Sequence, residues 1–199
     1  MITQEFDNRK TASALLLFGV IQWIIIVILS EGTQPNYISS IHYVSTLGTG
    51  KTALFYNTST VILGISVFLS SLLIRRFNSS RVFFVLFLIT GLATIGVGVF
   101  PEDSRPMHGI VTPIALMFGA LASVFSYKLH EKPASYLSVL LGLVSLISGL
   151  VFIPYLGLSV ESMAMFMGLY KGTLERIVIY TNLLWVLILG SQLSGKPIK

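Results

Sequence analysis

The chain contains no cysteine. That absence excludes disulfide staples, thiolate nucleophiles and cysteine-ligated metals, and it leaves the compartment open. Charge is scarce as well: 11% of the 199 residues are Asp, Glu, Lys or Arg, against about 25% in an average soluble domain. Carboxylates are the scarcer sign, 8 against 13 Lys and Arg, for a formal net charge of +5. A surplus of this sign also occurs in nucleic-acid binders, but here the basic residues lie in short clusters between apolar runs, which is a topological pattern. No apolar run carries a carboxylate near its middle, where a cation-coupled carrier normally has one.

What is abundant is hydrophobicity, 54% of residues with a mean hydropathy of +0.84. No single soluble core hides that much apolar surface, so the composition predicts an integral membrane protein. Crossing about 30 Å of hydrocarbon takes about 20 apolar residues, and six runs approach or meet that length: 12–30, 52–74, 82–100, 109–127, 135–155 and 174–194. The first is too long for a signal-peptide core and no small-residue cleavage site follows it, so it reads as a span.

Basic residues orient the bundle. Arg9, Lys10, Arg75, Arg76, Arg81, Lys128, Lys132, Lys196 and Lys199 fall on one side, and Lys51, Arg105, Lys171 and Arg176 on the other. The positive-inside rule then predicts cytoplasmic N- and C-termini in a cell membrane. Two connections on the opposite side, 31–51 and 156–173, are too apolar for free loops and too mixed for spans, and they read as interfacial or re-entrant caps. Each precedes a helix beginning near a Gly-Thr pair, which hints at a 3+3 pseudo-repeat of the kind found in transporters. Small residues recur at packing spacing, Gly91, Thr94 and Gly98 in one run, Ala115, Gly119, Ala122 and Ser126 in the next, and Gly142, Ser145 and Gly149 in the fifth. Such faces let membrane helices approach closely.

Candidate chemistry sits at the outer ends. "STLGTGKT" at 45–52 nearly fits a phosphate-binding loop, but Ser45 stands where the first glycine belongs and no strand precedes it. The stretch "VGVFPEDSRPMHGIV" at 97–111 concentrates Glu102, Asp103, Arg105 and His108 between two apolar runs. Asn57 and Asn182 enter the second and sixth spans from the same side, and Glu175 and Arg176 open the sixth. A buried polar group without a partner is costly in hydrocarbon, so Ser45, Asn57, Asp103, His108, Glu175, Arg176 and Asn182 are the candidate lining of an outward-facing polar pocket. Each also has a plain structural role open to it: interface anchor, turn acceptor or helix cap. His42, His108, Asp103 and Glu175 have the right side chains for a metal without a metal-ligand spacing. Ser45, His108 and Asp103 have those of a hydrolase triad without a nucleophile elbow. His130 reads as a solvated residue of an inner loop.

Three blocks, "HYVSTLGTGKTALFYNTSTVILG", "VGVFPEDSRPMHG" and "GTLERIVIYTNLLW", together resemble the pattern of a prokaryotic, often archaeal, family of six-span membrane proteins, domain of unknown function nine-nine-eight. A fainter similarity links them to autophagy-modulator-like six-span proteins. The family resemblance implies that Ser45, Leu47, Gly48, Asn57, Phe100, Pro101, His108, Gly172, Glu175 and Arg176 are its recurring positions. It implies no activity.

The sequence therefore predicts a single all-α domain over 1–199, a polytopic six-helix transmembrane bundle whose partners are membrane lipids and not nucleic acid. The leading expectation is a non-enzymatic protein that binds or moves a lipid or small polar ligand through the pocket. An intramembrane enzyme modifying a lipid head group, with His108 as acid, base or metal ligand, is the alternative, and a structural subunit of a larger complex is another. Ligand, cofactor and oligomeric state are not readable.

Overall fold

A computed structural model describes residues 2–78 and 80–195, so Lys196 and Lys199 of the basic tail lie outside the described residues. Six helices carry the apolar runs: α1 (Ile2–Thr33), α2 (Ala53–Arg75), α3 (Arg81–Val99), α4 (Arg105–Phe125), α5 (Ala134–Phe152) and α6 (Lys171–Ser194). All six are long and apolar enough to cross a membrane. Their ends follow local chemistry. Ser80 caps α3 by accepting from the Phe83 N–H at 3.3 Å. Pro106 sits in the first turn of α4, where its missing N–H costs nothing.

Successive helices pack side by side, and α6 returns to α1, so the six close into a ring with both termini at one end. The small-residue faces are where backbones meet. A Cβ added to Gly64 would fall 2.5 Å from the Ile95 nitrogen, one on Gly91 2.6 Å from the Phe68 nitrogen, and one on Gly98 2.6 Å from the Asn57 carbonyl. α2 and α3 thus touch main chain to main chain along their length. Inside the ring, Phe83, Phe87 and Trp185 form a fully buried aromatic cluster, with the Phe87 and Trp185 rings edge to face at 5.4 Å.

Several polar groups at depth pair between helices, as an apolar solvent demands. Gln22 on α1 donates to the Ser59 carbonyl of α2 at 3.0 Å and accepts from the Ser59 hydroxyl at 2.7 Å. Trp23 donates to Thr60 at 3.0 Å, and Ser13 to the Gly190 carbonyl at 2.7 Å.

At the end that holds the termini, His130 corrects a sequence expectation: it is buried, not solvated. Ser126 spends its hydrogen on the Ser123 carbonyl at 2.7 Å and accepts from Trp185 at 2.9 Å. The His130 Nε2, 3.1 Å from that oxygen, therefore carries the ring proton, and Nδ1 is left buried without a partner. Burial lowers the His130 pKa from its ordinary 6.5 to about 4. The unfolded chain then binds this proton more readily than the folded one. Stability is complete above the ordinary histidine range and declines as pH falls toward the folded value. Between about pH 7 and about pH 5 the loss should be roughly 2 kcal/mol, read as a falling melting temperature in detergent. His130→Asn should flatten that slope, and an unchanged slope would remove His130 as its source.

Candidate functional site

The end opposite the termini is closed by the two long connections, and they fold differently. The first, residues 34–52, turns inward as two short 3₁₀ turns, Ser45–Gly48 and Gly50–Thr52, that run directly into α2. No strand precedes them, so the near match to a phosphate-binding loop lacks its structural setting. The second climbs over the top and carries a hairpin, β1 (Met165–Phe166) paired antiparallel with β2 (Leu169–Tyr170). Met167 and Gly168 both have positive φ, 53° and 77°, the two-residue turn whose twist matches paired strands. The sequence gives no alternation over so short a stretch, and this strand pair was not foreseen.

α6 holds both caps. Gly172 packs directly against the carbonyls of Ser39, Ser40 and His42, and the Thr173 N–H donates to the Ser40 carbonyl at 3.0 Å. Arg176 lies over the Tyr37 ring. It donates to Glu31 and to the Tyr37 hydroxyl, each at 2.5 Å, and to the carbonyls of Ser39, His42 and Gly172. Lys171 is 0% exposed. Its ammonium donates to the carbonyls of Ser159, Val160 and Ser162 at 2.8, 2.5 and 2.7 Å and stands 5.1 Å above the Tyr43 ring. Tyr43 ties one cap to the other by donating to the Tyr155 carbonyl at 2.7 Å. Burial, reinforced by the Glu175 and Glu102 carboxylates, pushes the Tyr43 phenol well above its usual range, so it remains a donor.

Beneath the caps, between α4, α5 and the start of α6, lies a cavity of about 680 Å³. One end is polar. The Glu175 carboxylate, 4% exposed, accepts the Val44 N–H at 2.5 Å and the Ser45 N–H. The Glu102 carboxylate, 8% exposed, accepts the Thr46 hydroxyl at 2.7 Å and the Ser45 hydroxyl at 3.4 Å. Three successive residues of one turn thus hold two carboxylates side by side. His108 adds a ring to the same lining. Its Nδ1 donates to the Phe100 carbonyl at 2.7 Å, which leaves Nε2 to accept from Thr112 at 3.1 Å. The rest of the wall is apolar, formed by Leu116, Met117, Leu150, Phe152 and Val178. Leu150, Ile153 and Leu156 at its margin are exposed, so the cavity opens sideways between α4 and α5.

Pro113 lies inside α4 and on this wall. Lacking an N–H, it leaves the Gly109 carbonyl without its intrahelical donor. A smaller cavity of about 100 Å³ continues inward, sharing Ser45, Thr112, Leu116 and Glu175 with the first and reaching Asn182. Asn182 donates to Ser145 at 2.8 Å while its Oδ1 is buried and unpartnered.

Of the seven candidates read from sequence, Ser45, His108 and Glu175 line the larger cavity and Asn182 the smaller one. Three stand elsewhere. Asn57 donates to the Gly48 carbonyl at 2.9 Å and fastens the first cap to α2. Arg176 faces Glu31, one helix position and therefore about 100° away from Glu175. Asp103 is exposed, whereas its neighbour Glu102 turns inward. The triad is not assembled, because both His108 nitrogens are engaged by Phe100 and Thr112 and not by Asp103 or Ser45. Among the described residues no three His, Asp or Glu side chains gather as a metal site. The sequence does not point to Tyr43, Thr112 or Lys171 for the site, and it offers Glu102 and Asp103 together. Glu102 was visible as half of an acidic pair, and nothing local says which half turns in.

No curated protein and no solved structure matches the chain. A family model does, and it covers residues 17–192, nearly all of the six-helix body that builds the cavity and its caps. The chain is accordingly a multi-pass membrane protein belonging to the family described as Protein of unknown function (DUF998).

Proposed function

We propose that the protein binds a membrane amphiphile in the cavity between α4 and α5, its head group at the polar end and its hydrocarbon against the apolar wall. The observation that supports this reading most is the gradient along the wall. Glu102 and Glu175 lie at the capped end, and Leu116 and Met117 on α4 lie about 17–18 Å further along the helix axis from Arg105, at about 1.5 Å per residue. A lipid in a bilayer has the same order of polarity along its length. The sideways opening, edged by exposed apolar residues, faces hydrocarbon in a bundle that spans a membrane, so an amphiphile enters without crossing water. The volume lies in the range of pockets that enclose drug-sized ligands. In this reading the capped end faces outward and the termini face the cytoplasm of a cell membrane, following the basic clusters.

Gly109 supplies the test. It lines the cavity, and a Cβ added there meets nothing within 4 Å, so Gly109→Trp puts an indole at the cavity wall with no clash at its Cβ. The variant should fold with an unchanged melting temperature and lose most of the lipid that copurifies with the wild type, read by mass spectrometry of the intact complex. Equal lipid retention by the two proteins would remove the cavity as the binding site.

A further inference from the structure

We propose that the polar end of this cavity receives a primary ammonium group carried by a membrane amphiphile, of which an ethanolamine-headed phospholipid is the representative. The inference rests on the amphiphile reading above and adds the chemistry of the head.

Three observations carry it. First, the charge of the lining is unbalanced toward acid: two buried carboxylates, Glu102 and Glu175, against one guanidinium, Arg105, which is exposed and donates to the Leu158 carbonyl at 3.5 Å. The nearest lysine, Lys171, stands behind Tyr43 with its ammonium already engaged by three carbonyls. Each carboxylate already accepts two donors from the Val44–Thr46 turn; what a buried carboxylate also calls for is a cation, and an ammonium group supplies one.

Second, acceptors outnumber donors on the inner wall. Tyr43 has committed its hydroxyl hydrogen to Tyr155, and Thr112 faces His108. A primary ammonium brings three N–H groups to such a wall. A quaternary ammonium brings none and is recognised by aromatic cages, whereas the rings on this wall are limited to Tyr43, His108 and Phe152.

Third, Arg105 opens α4 at the mouth while both carboxylates lie deeper under the caps. A zwitterion whose phosphate stays at the rim and whose amine points inward matches that order, and a guanidinium is suited to phosphate.

The test titrates the purified protein, in detergent, with phosphatidylethanolamine, phosphatidylcholine and phosphatidylglycerol of identical acyl chains, and separately with ethanolamine alone, using intact-complex mass spectrometry. The ethanolamine lipid should bind about tenfold more tightly than the other two, the increment expected of charge-assisted hydrogen bonds, and ethanolamine alone should bind more weakly than its lipid. Glu102→Gln keeps an oxygen for Thr46 and should erase the preference while choline lipid still binds. A melting temperature equal to the wild type's confirms that it folds. Equal or tighter binding of the choline or glycerol lipid would overturn the ammonium assignment and leave the amphiphile site standing. Free ethanolamine binding as tightly as its lipid would overturn the lipid as the source. No difference between wild type and Gly109→Trp for any lipid would overturn both readings together.

Discussion

Arg176→Ala is expected to destabilise the protein by about 1–3 kcal/mol, between the cost of breaking an exposed ion pair and that of breaking a buried one, because Arg176 and Glu31 are half-buried. The guanidinium joins three parts of the chain that are distant in sequence: Glu31 at the end of α1, the Tyr37–His42 stretch of the first cap, and α6 itself. Removing it strands the Glu31 carboxylate and several carbonyls at once. Arg176→Lys should recover only part of the loss, because a point charge does not span Glu31 and the cap carbonyls in the way a planar fork does. Glu31→Ala combined with Arg176→Ala should cost less than the sum of the two single changes, the signature of coupled neighbours. Denaturation of the purified variants in mixed micelles measures all three. Strict additivity would show that the pair contributes nothing specific.

Gly91→Leu should be at least as damaging, by a different route. Overpacking relieved by side-chain motion costs about 1–3 kcal/mol, but the new Cβ would lie 2.6 Å from the Phe68 nitrogen and 2.8 Å from its Cα. No rotamer relieves a collision with backbone, so α2 and α3 must separate, and between membrane helices close packing is the main attraction available. The expected outcome is loss of the monodisperse folded species on size exclusion. Gly109→Leu, at a cavity-wall position where an added Cβ meets nothing within 4 Å, is the matching control for folding and should leave the monodisperse species intact. A folded Gly91→Leu protein would show that the glycine contact is not needed.

These two cases mark what sequence conveys and what it does not. That one face of α3 packs closely is readable, because Gly91, Thr94 and Gly98 recur at packing spacing, whereas its partner α2 comes from the structure. The spans were readable for a similar reason, since hydrocarbon tolerates few alternatives to a long apolar helix. The site was harder, because it depends on direction. Glu175 and Arg176 are adjacent letters, yet one turns toward the cavity and the other toward α1. Glu102 and Asp103 divide in the same way, one buried and one exposed, on a turn whose geometry no periodicity encodes. Lys171 is the extreme case: a lysine at the start of a span is expected to lie at the interface, and this one is fully buried because a loop supplies three carbonyls for its charge.

The dependence of the first cap on α6 also fixes an order of events during synthesis. Residues 34–52 follow the first helix, but the groups that hold them, Gly172, Glu175 and Arg176, emerge about 125 residues later. At about 5–20 residues per second, the segment waits on the order of ten seconds, while the helices that precede α6 grow in number from one to five. Until α6 arrives, the segment has its ties to Asn57, Glu102 and Tyr155, but the Val44 N–H and the carbonyls of Ser39, Ser40 and His42 have only water or head groups for company. The cavity therefore comes into being only when α6 packs beneath the caps.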